Sequence, residues 1–159
     1  MRVNLKIRHF LIAACFASGF AGNVHAEYVT PNIHHEPFGE VKVVVPLTST
    51  DQAVWIARLH NISNGMKATS GSGGSLLAKV VLFSGGVKML LQPVDPKLKE
   101  AIDEARAAGV RFNVCNFSLK GMNQDWHELY GVQEADIVPS GFGEVAWLGN
   151  HGWAIVSLN

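Results

Sequence analysis

The chain has 159 residues, of which 48% are hydrophobic and 16% are charged, and its formal net charge is zero. This composition suits one domain of ordinary size with a packed core, and it excludes disordered, collagen-like and coiled-coil proteins. Beyond the first 26 residues, Lys and Arg residues form no cluster, so this part of the chain lacks the basic surface that binding to nucleic acid or to anionic lipid requires.

The first 26 residues have the three parts of a secretory signal. Arg2, Lys6 and Arg8 give a positively charged start, residues 10–22 form an uncharged and mostly apolar run, and compact residues precede a cleavage site after Ala26. The run is too short to anchor the chain in a bilayer. We therefore predict a removable signal peptide over 1–26, export to the periplasm, and no membrane attachment after cleavage. Loss of three of the thirteen basic residues leaves ten, against thirteen acidic ones, for a net charge of −3.

Two alternatives remain for this segment. It could be an N-terminal core helix, or residues 12–15 could be a lipoprotein box in which Cys15 is lipidated after cleavage. Only about five apolar residues precede Cys15, fewer than the ~7–15 of a hydrophobic signal core, so we favour cleavage after Ala26. That cleavage leaves Cys115 as the one thiol of the mature chain, which then cannot form an intramolecular disulfide.

The first part of the mature chain alternates strand and helix patterns. Residues 27–40 are polar and turn-rich, which predicts an irregular N-terminal arm. The β-branched run 41–45 predicts a buried strand that ends at Pro46. A capping box at 49–52 predicts the start of a helix, whose apolar residues repeat at helical spacing. The Ser- and Gly-rich residues 68–75 predict a flexible loop.

The middle of the chain continues the alternation. Residues 79–83 predict a second strand, and a glycine turn then leads into a short apolar helix around 87–91. Asp95 is predicted to cap a further helix that has Pro96 at its first position, where the missing N–H is harmless. Gly109 is predicted to end that helix.

The last third supplies three more strands, at 110–115, 136–138 and 153–158, with Asn116 and Ser140 as predicted helix caps. Strands that alternate with helices imply right-handed crossovers. We therefore predict that residues 41–159 form one α/β domain, a three-layer α/β/α fold around a mainly parallel five-stranded sheet. The aromatic residues of this third fit either core packing or a subunit interface: Trp126, Trp147, Trp153 and Phe142.

Chemistry is expected where the strands end, because ligands of open parallel sheets bind beyond the carboxyl ends of the strands. The segments 46–51, 83–87 and 114–118 should converge there. Cys115 ends the third strand, so its sulfur should face backbone N–H groups and the positive end of a helix. Such surroundings lower the pKa of a thiol and favour the nucleophilic thiolate. The alternative is an inert buried thiol.

Six further residues are predicted to bind an anion or ligand beside this cysteine: Asn116, Phe117, Ser118, Ser84, Gly85 and Gly86. The turn at 84–86 lacks the complete nucleotide-binding glycine pattern, and its alternative role is a tight turn that requires glycine. The histidines have no metal-ligand spacing, so we expect no metal and no cofactor. A catalytic pair between Cys115 and His127 stays open, since such partners meet in space.

Several segments resemble the DsrE/DsrF-like (YchN-like) family: 43–45, 61–68, 79–87, 114–119 and 137–155. The most specific is 114–119, where the cysteine-bearing branch of the family has its thiol. The resemblance implies the YchN-like three-layer fold, assembly into trimers or hexamers, and sulfur relay with donor and acceptor proteins. It also implies that Cys115 carries sulfane sulfur as a persulfide. Ser84 stands where many relatives have histidine.

Two hypotheses follow. The first is a periplasmic sulfur-relay protein, at most a sulfurtransferase-like persulfide carrier, that works through Cys115 without metal or cofactor. The second is a non-catalytic periplasmic module that binds a small anion or serves in oligomeric assembly, with Cys115 inert in the core.

Overall fold

A computed structural model describes residues 28–30 and 34–157. The chain divides into two units, Met1–Asn32 and Ile33–Asn159. In the first unit only 28–30 are described, and they contain no helix or strand. The predicted signal peptide, its cleavage site after Ala26 and the alternative site at Cys15 lie outside the described residues. Among the helices that are described, none is both long enough and apolar enough to cross a membrane.

The second unit contains a single described sheet of five parallel strands, in the spatial order β4-β3-β2-β1-β5. The strands are β1 (Gly39–Leu47), β2 (Gly74–Leu82), β3 (Arg111–Cys115), β4 (Ile137–Val138) and β5 (Ala154–Ile155). The α-helices are α1 (Gln52–Ser70), α2 (Pro96–Ala107), α3 (Asn116–Met122) and α4 (Gly141–Asn150), and short 3-10 helices span Ser84–Leu90, Trp126–Glu128 and Glu134–Asp136. The predicted three-layer fold with a parallel five-stranded sheet is confirmed.

The two faces of the sheet are covered unequally. Alternate strand residues such as Val80 and Val114 pack against α1, α2 and α3 in the main core. On the other face, α4 is the one helix of the described chain that packs there, through Leu148 against Val44 and Val81. Toward the amino ends of the strands this second face is open, and Leu77 is 45% exposed on it.

Strand β1 is longer at both ends than its apolar run predicts. It begins at Gly39, inside the predicted arm of 27–40, and it continues through Pro46 to Leu47. The backbone polar groups of Val44 point toward the β5 side of the strand, where the Val44 carbonyl accepts from the Val156 N–H at 3.0 Å. Pro46, two residues later in the same strand, points to the same side. Because β5 ends at Ile155, no β5 residue lies opposite Pro46 in the register, and its missing N–H breaks no bond of the ladder.

Helix α1 begins and ends later than predicted. Its N-cap is Asp51, whose carboxylate accepts from the Ala53 N–H at 2.8 Å, so the predicted capping box at 49–52 is wrong. The helix continues to Ser70 and β2 begins at Gly74, which reduces the predicted loop of 68–75 to 71–73. Packing overrides the local preference of this Ser- and Gly-rich stretch, because Thr69 is buried on the helix.

Both ends of α2 and the start of α4 follow the predicted caps. Asp95 accepts from the N–H groups of Lys97 and Leu98 and has Pro96 after it, and Gly109 lies just beyond the helix with φ of +99°. Ser140 accepts from the Gly143 N–H at 3.2 Å at the start of α4. The last three strands are shorter than predicted. Val110 lies outside β3 and its N–H donates to the Ala105 carbonyl oxygen at 2.9 Å, and β4 and β5 each consist of only the two residues that pair with a neighbouring strand.

Candidate functional site

Cys115 lies at the carboxyl end of β3, on the sheet face that α4 covers. It is a free cysteine and only 4% exposed. Cys115 itself is the N-cap residue of α3, with φ of −73° and ψ of 115°, and Asn116 is the first residue inside the helix. The predicted N-cap role of Asn116 is therefore wrong, because the chain passes from strand to helix without an intervening residue.

Cys115 stands at the position where a residue with a capping oxygen is normally found at the start of a helix. The amides of the second and third helical residues, Phe117 and Ser118, are those that an N-cap side chain accepts from. The Cys115 side chain forms no conventional capping hydrogen bond, and sulfur is a weak acceptor. The amides therefore act on the sulfur mainly through their partial positive charges.

The pKa of Cys115 is set by two opposing influences. Burial is the largest single influence and raises the pKa of the thiol. The Ser118 hydroxyl, followed by the backbone N–H groups of Gly141, Ser118 and Phe117, stabilises the thiolate, and together these four groups leave the pKa below its ordinary value. The Phe117 contribution is the smallest, and its N–H also lies 3.4 Å from the Pro139 carbonyl oxygen.

Ser118 connects the cysteine to the neighbouring strand. Its hydroxyl oxygen accepts from the backbone N–H of Ser84 at 2.8 Å. Ser84 lies two residues after the end of β2. Its φ is +48°, in the left-handed region that residues other than glycine rarely adopt. The structure thus brings the predicted residues Ser84 and Ser118 together beside Cys115.

Gly85 and Gly86 join the same turn to the end of β1. A Cβ at Gly86 would overlap the Leu47 carbonyl oxygen, and one at Gly85 would lie 3.0 Å from the Thr48 carbonyl oxygen. The Gly86 N–H donates to the Phe83 carbonyl at 3.1 Å. Both glycines are needed because the turn packs closely against residues 47–50. Together with the Ser84–Ser118 hydrogen bond, this packing brings the predicted segments 46–51, 83–87 and 114–118 to one edge of the sheet.

Gly141 is a site residue that the sequence did not reveal. It is the first residue of α4, it is buried, and its N–H is the strongest backbone influence that lowers the pKa of Cys115. A Cβ there would lie 2.7 Å from Cβ of Phe83, so the close approach requires glycine. The sequence shows a glycine directly after the predicted helix cap Ser140. Its place beside Cys115 follows only from the pairing of β4 with β3, which the sequence does not reveal.

A family model matches residues 48–158, which include all the groups around Cys115. The chain belongs to the DsrE/DsrF-like family. This family is associated with sulfur relay. A solved structure of a protein of unknown function, MTH1491 from Methanobacterium thermoautotrophicum, is 24% identical with a TM-score of 0.64, over 74% of this chain and 99% of that one. That similarity shows a shared fold. No curated protein matches the chain.

Two aromatic side chains of this DsrE/DsrF-like protein are exposed beside the thiol. Phe117 is 70% exposed and Phe142, which follows Gly141, is 76% exposed. Trp147 on α4 is also exposed, whereas Trp126 and Trp153 pack against the two core clusters. The aromatic residues of the last third therefore divide between the core and the surface.

The remaining predicted residues lie elsewhere. Asn116 lines a cleft of about 560 Å³ whose other lining residues are Leu119, Lys120, Asn123, Gln124, Asp125 and Trp126. Cys115 does not line this cleft. His127 places Nδ1 2.7 Å from Oδ1 of Asp125 and stacks on Trp126, and no contact joins it to Cys115 in the described structure. Within 28–30 and 34–157, no three His, Cys, Asp or Glu residues are grouped as metal ligands.

Proposed function

We propose that this protein carries sulfane sulfur as a persulfide on Cys115, as a sulfurtransferase-like member of a sulfur relay. The observation that carries the proposal is the set of donors around one sulfur: the Ser118 hydroxyl and the N–H groups of Gly141, Ser118 and Phe117. These groups favour the thiolate, which is the nucleophile in sulfur transfer.

The reaction consists of two exchanges at sulfur. In the first, the Cys115 thiolate attacks the terminal sulfur of a donor persulfide; an S–S bond to Sγ forms, the donor's own S–S bond breaks, and the donor leaves as a thiolate. In the second, an acceptor thiolate attacks the terminal sulfur now on Cys115, and Sγ leaves as a thiolate. Sulfane sulfur passes between thiols without net oxidation, so neither a metal nor a cofactor is needed.

The surroundings of Cys115 assist both exchanges. A low pKa increases the fraction of attacking thiolate in the first and makes Sγ a better leaving group in the second. Donors that are already oriented by folded backbone need little reorganisation as negative charge returns to Sγ. Among these groups, the backbone N–H of Gly141 is held by the close packing of α4 on Phe83.

The proposal places this chemistry in the periplasm, with a donor and an acceptor protein and with the chain in a homo-oligomer such as a trimer or hexamer. The charged and apolar pattern of residues 1–26 supports export. The exposed Phe117, Phe142 and Trp147 support contacts with other subunits or partners. Recovery of a periplasmic chain that begins at Glu27, and its sedimentation behaviour, would test location and assembly.

The 4% exposure of Cys115 favours a second candidate function, a non-catalytic module that binds a small anion or serves in assembly and in which the cysteine is inert. The two candidates differ in the ionisation of the thiol. An inert thiol in an apolar core has a raised pKa, whereas a carrier has a lowered one.

Alkylation of the mature protein by iodoacetamide across a pH series should separate the candidates. We expect the rate to rise with a midpoint below the ~8.5 of a free cysteine, because the hydroxyl and amide donors outweigh burial. The same chain unfolded in denaturant is the control and should show the ordinary midpoint. A folded midpoint at or above that of the unfolded chain would contradict the carrier.

The same shift predicts how stability depends on pH. Because the pKa of Cys115 is lower in the folded chain, its ionisation stabilises the fold fully above the pKa of the unfolded thiol. This contribution is lost as the pH falls through the folded pKa. The free energy of unfolding of the wild type, measured relative to Cys115→Ser by urea titration, should therefore increase as the pH is raised through this range.

A further inference from the structure

We propose that the backbone amide of Ser84 is a positioning group that acts on Cys115 through the hydroxyl of Ser118, an inference that rests on the proposed carrier function. The Ser84 N–H donates to Oγ of Ser118 at 2.8 Å. That bond engages the Ser118 oxygen as an acceptor, so its O–H proton is directed elsewhere. Cys115 lies three residues before Ser118, at the start of the same helix, and the Ser118 hydroxyl is the largest of the influences that lower the pKa of its thiol.

The backbone of Ser84 indicates that this arrangement is specific. The turn at 84–86 contains two glycines, yet the left-handed conformation falls on the serine, with φ of +48°. Gly85 and Gly86 do not have positive φ, and their lack of a Cβ is required by packing against residues 47–50. A left-handed residue other than glycine stores strain, and such strain is common at functional sites. Here the strained residue supplies the N–H that orients Ser118.

A chain of donors strengthens the last bond in it. A hydroxyl that accepts from an amide becomes a better donor, because each hydrogen bond polarises the next. In the proposed chain the Ser84 amide is bonded to the Ser118 hydroxyl, and this hydroxyl acts on the Cys115 sulfur, so that the chain runs from the end of β2 to the end of β3. Ser84 takes part through its backbone, so its role should not require a serine side chain.

Four variants test this assignment through the pH dependence of Cys115 alkylation. Ser118→Ala should raise the pKa of Cys115 by about one unit, since a hydrogen bond to a charged group has that strength, while Ser118→Thr, which keeps the hydroxyl, should stay close to the wild type. Ser84→Gly keeps the N–H and accepts a positive φ, so it should match the wild type. Ser84→Val disfavours that φ and should shift the pKa in the same direction as Ser118→Ala.

A double variant shows whether Ser84 acts through Ser118. Ser84→Val combined with Ser118→Ala should shift the pKa no further than Ser118→Ala alone, because the hydroxyl that Ser84 orients is already missing. Additive shifts, or no shift in Ser118→Ala, would overturn the inference while leaving the carrier intact. If the pKa of Cys115 in the wild type equals that of a free cysteine, the proposed carrier function itself is contradicted. Circular dichroism and thermal melting verify that each variant is folded.

Discussion

Replacing Cys115 by serine will abolish sulfur loading. After incubation with an inorganic polysulfide, the mature wild-type chain should gain the mass of one sulfur atom, and the gain should disappear on treatment with a reducing thiol. The Cys115→Ser chain should gain nothing, because a serine hydroxyl is not ionised at neutral pH and cannot form a persulfide. Intact-mass spectrometry measures both chains directly.

Because of the position of Cys115, the serine substitution should remove the thiol without disturbing the fold. Serine is among the preferred residues at a helix N-cap, and Cys115 occupies that position in α3. We therefore expect Cys115→Ser to fold normally. At a pH below the folded pKa of Cys115, its free energy of unfolding should equal that of the wild type or be up to about 1 kcal/mol higher. If the serine variant gained as much sulfur as the wild type, Cys115 would not be the sulfur carrier.

The largest loss of stability is expected for Gly86→Ala. The new Cβ would overlap the Leu47 carbonyl oxygen, and this oxygen belongs to the backbone of a strand that is paired along its length with β2. Neither group has a flexible end that can move aside. We expect the free energy of unfolding to fall by about 3 kcal/mol, with a lower midpoint of urea denaturation and an unchanged slope.

Gly65→Ala is the matched control for the Gly86 variant. Gly65 lies inside α1, and a Cβ there would meet nothing within 4 Å. Alanine in a helix interior should stabilise the protein by about 0.5–1 kcal/mol, because it restricts the unfolded chain. Equal effects of the two substitutions would show that the turn at 84–86 can relax away from β1, contrary to the packing described above.

Most of the fold could be predicted from the sequence because its signals are local. β-branched runs mark β1 and β2, and the caps at Asp95 and Ser140 fix where two helices begin. The predicted boundaries of strands and helices were wrong where long-range packing determines them. Pro46 stays within β1 because β5 is too short to reach it, and Thr69 stays helical because it is buried.

The candidate site was predicted only in part. The sequence indicated that Cys115, Ser118 and Ser84 lie at neighbouring strand ends, since parallel strands end at one edge. It did not indicate Gly141, because nothing local reveals that β4 pairs with β3 and so places the start of α4 over the sulfur. It also misassigned the N-cap of α3 by one residue, a difference that decides whether the side-chain amide of Asn116 or the thiol of Cys115 lies at the N-terminus of the helix.

The unequal covering of the sheet has a consequence for access to the buried thiol. In the described chain, the face that holds Cys115 is closed by α4. The core on this face consists of the buried Val44, Val81 and Leu148 and the partly buried Phe83, Val145 and Trp153, and it is much smaller than the main core on the opposite side. Small cooperative units of this kind open before the whole protein unfolds. Amide hydrogens of α4 should therefore exchange with solvent faster than those of β1 and β2. Transient detachment of this one helix would admit a donor to Sγ without disturbing the rest of the molecule.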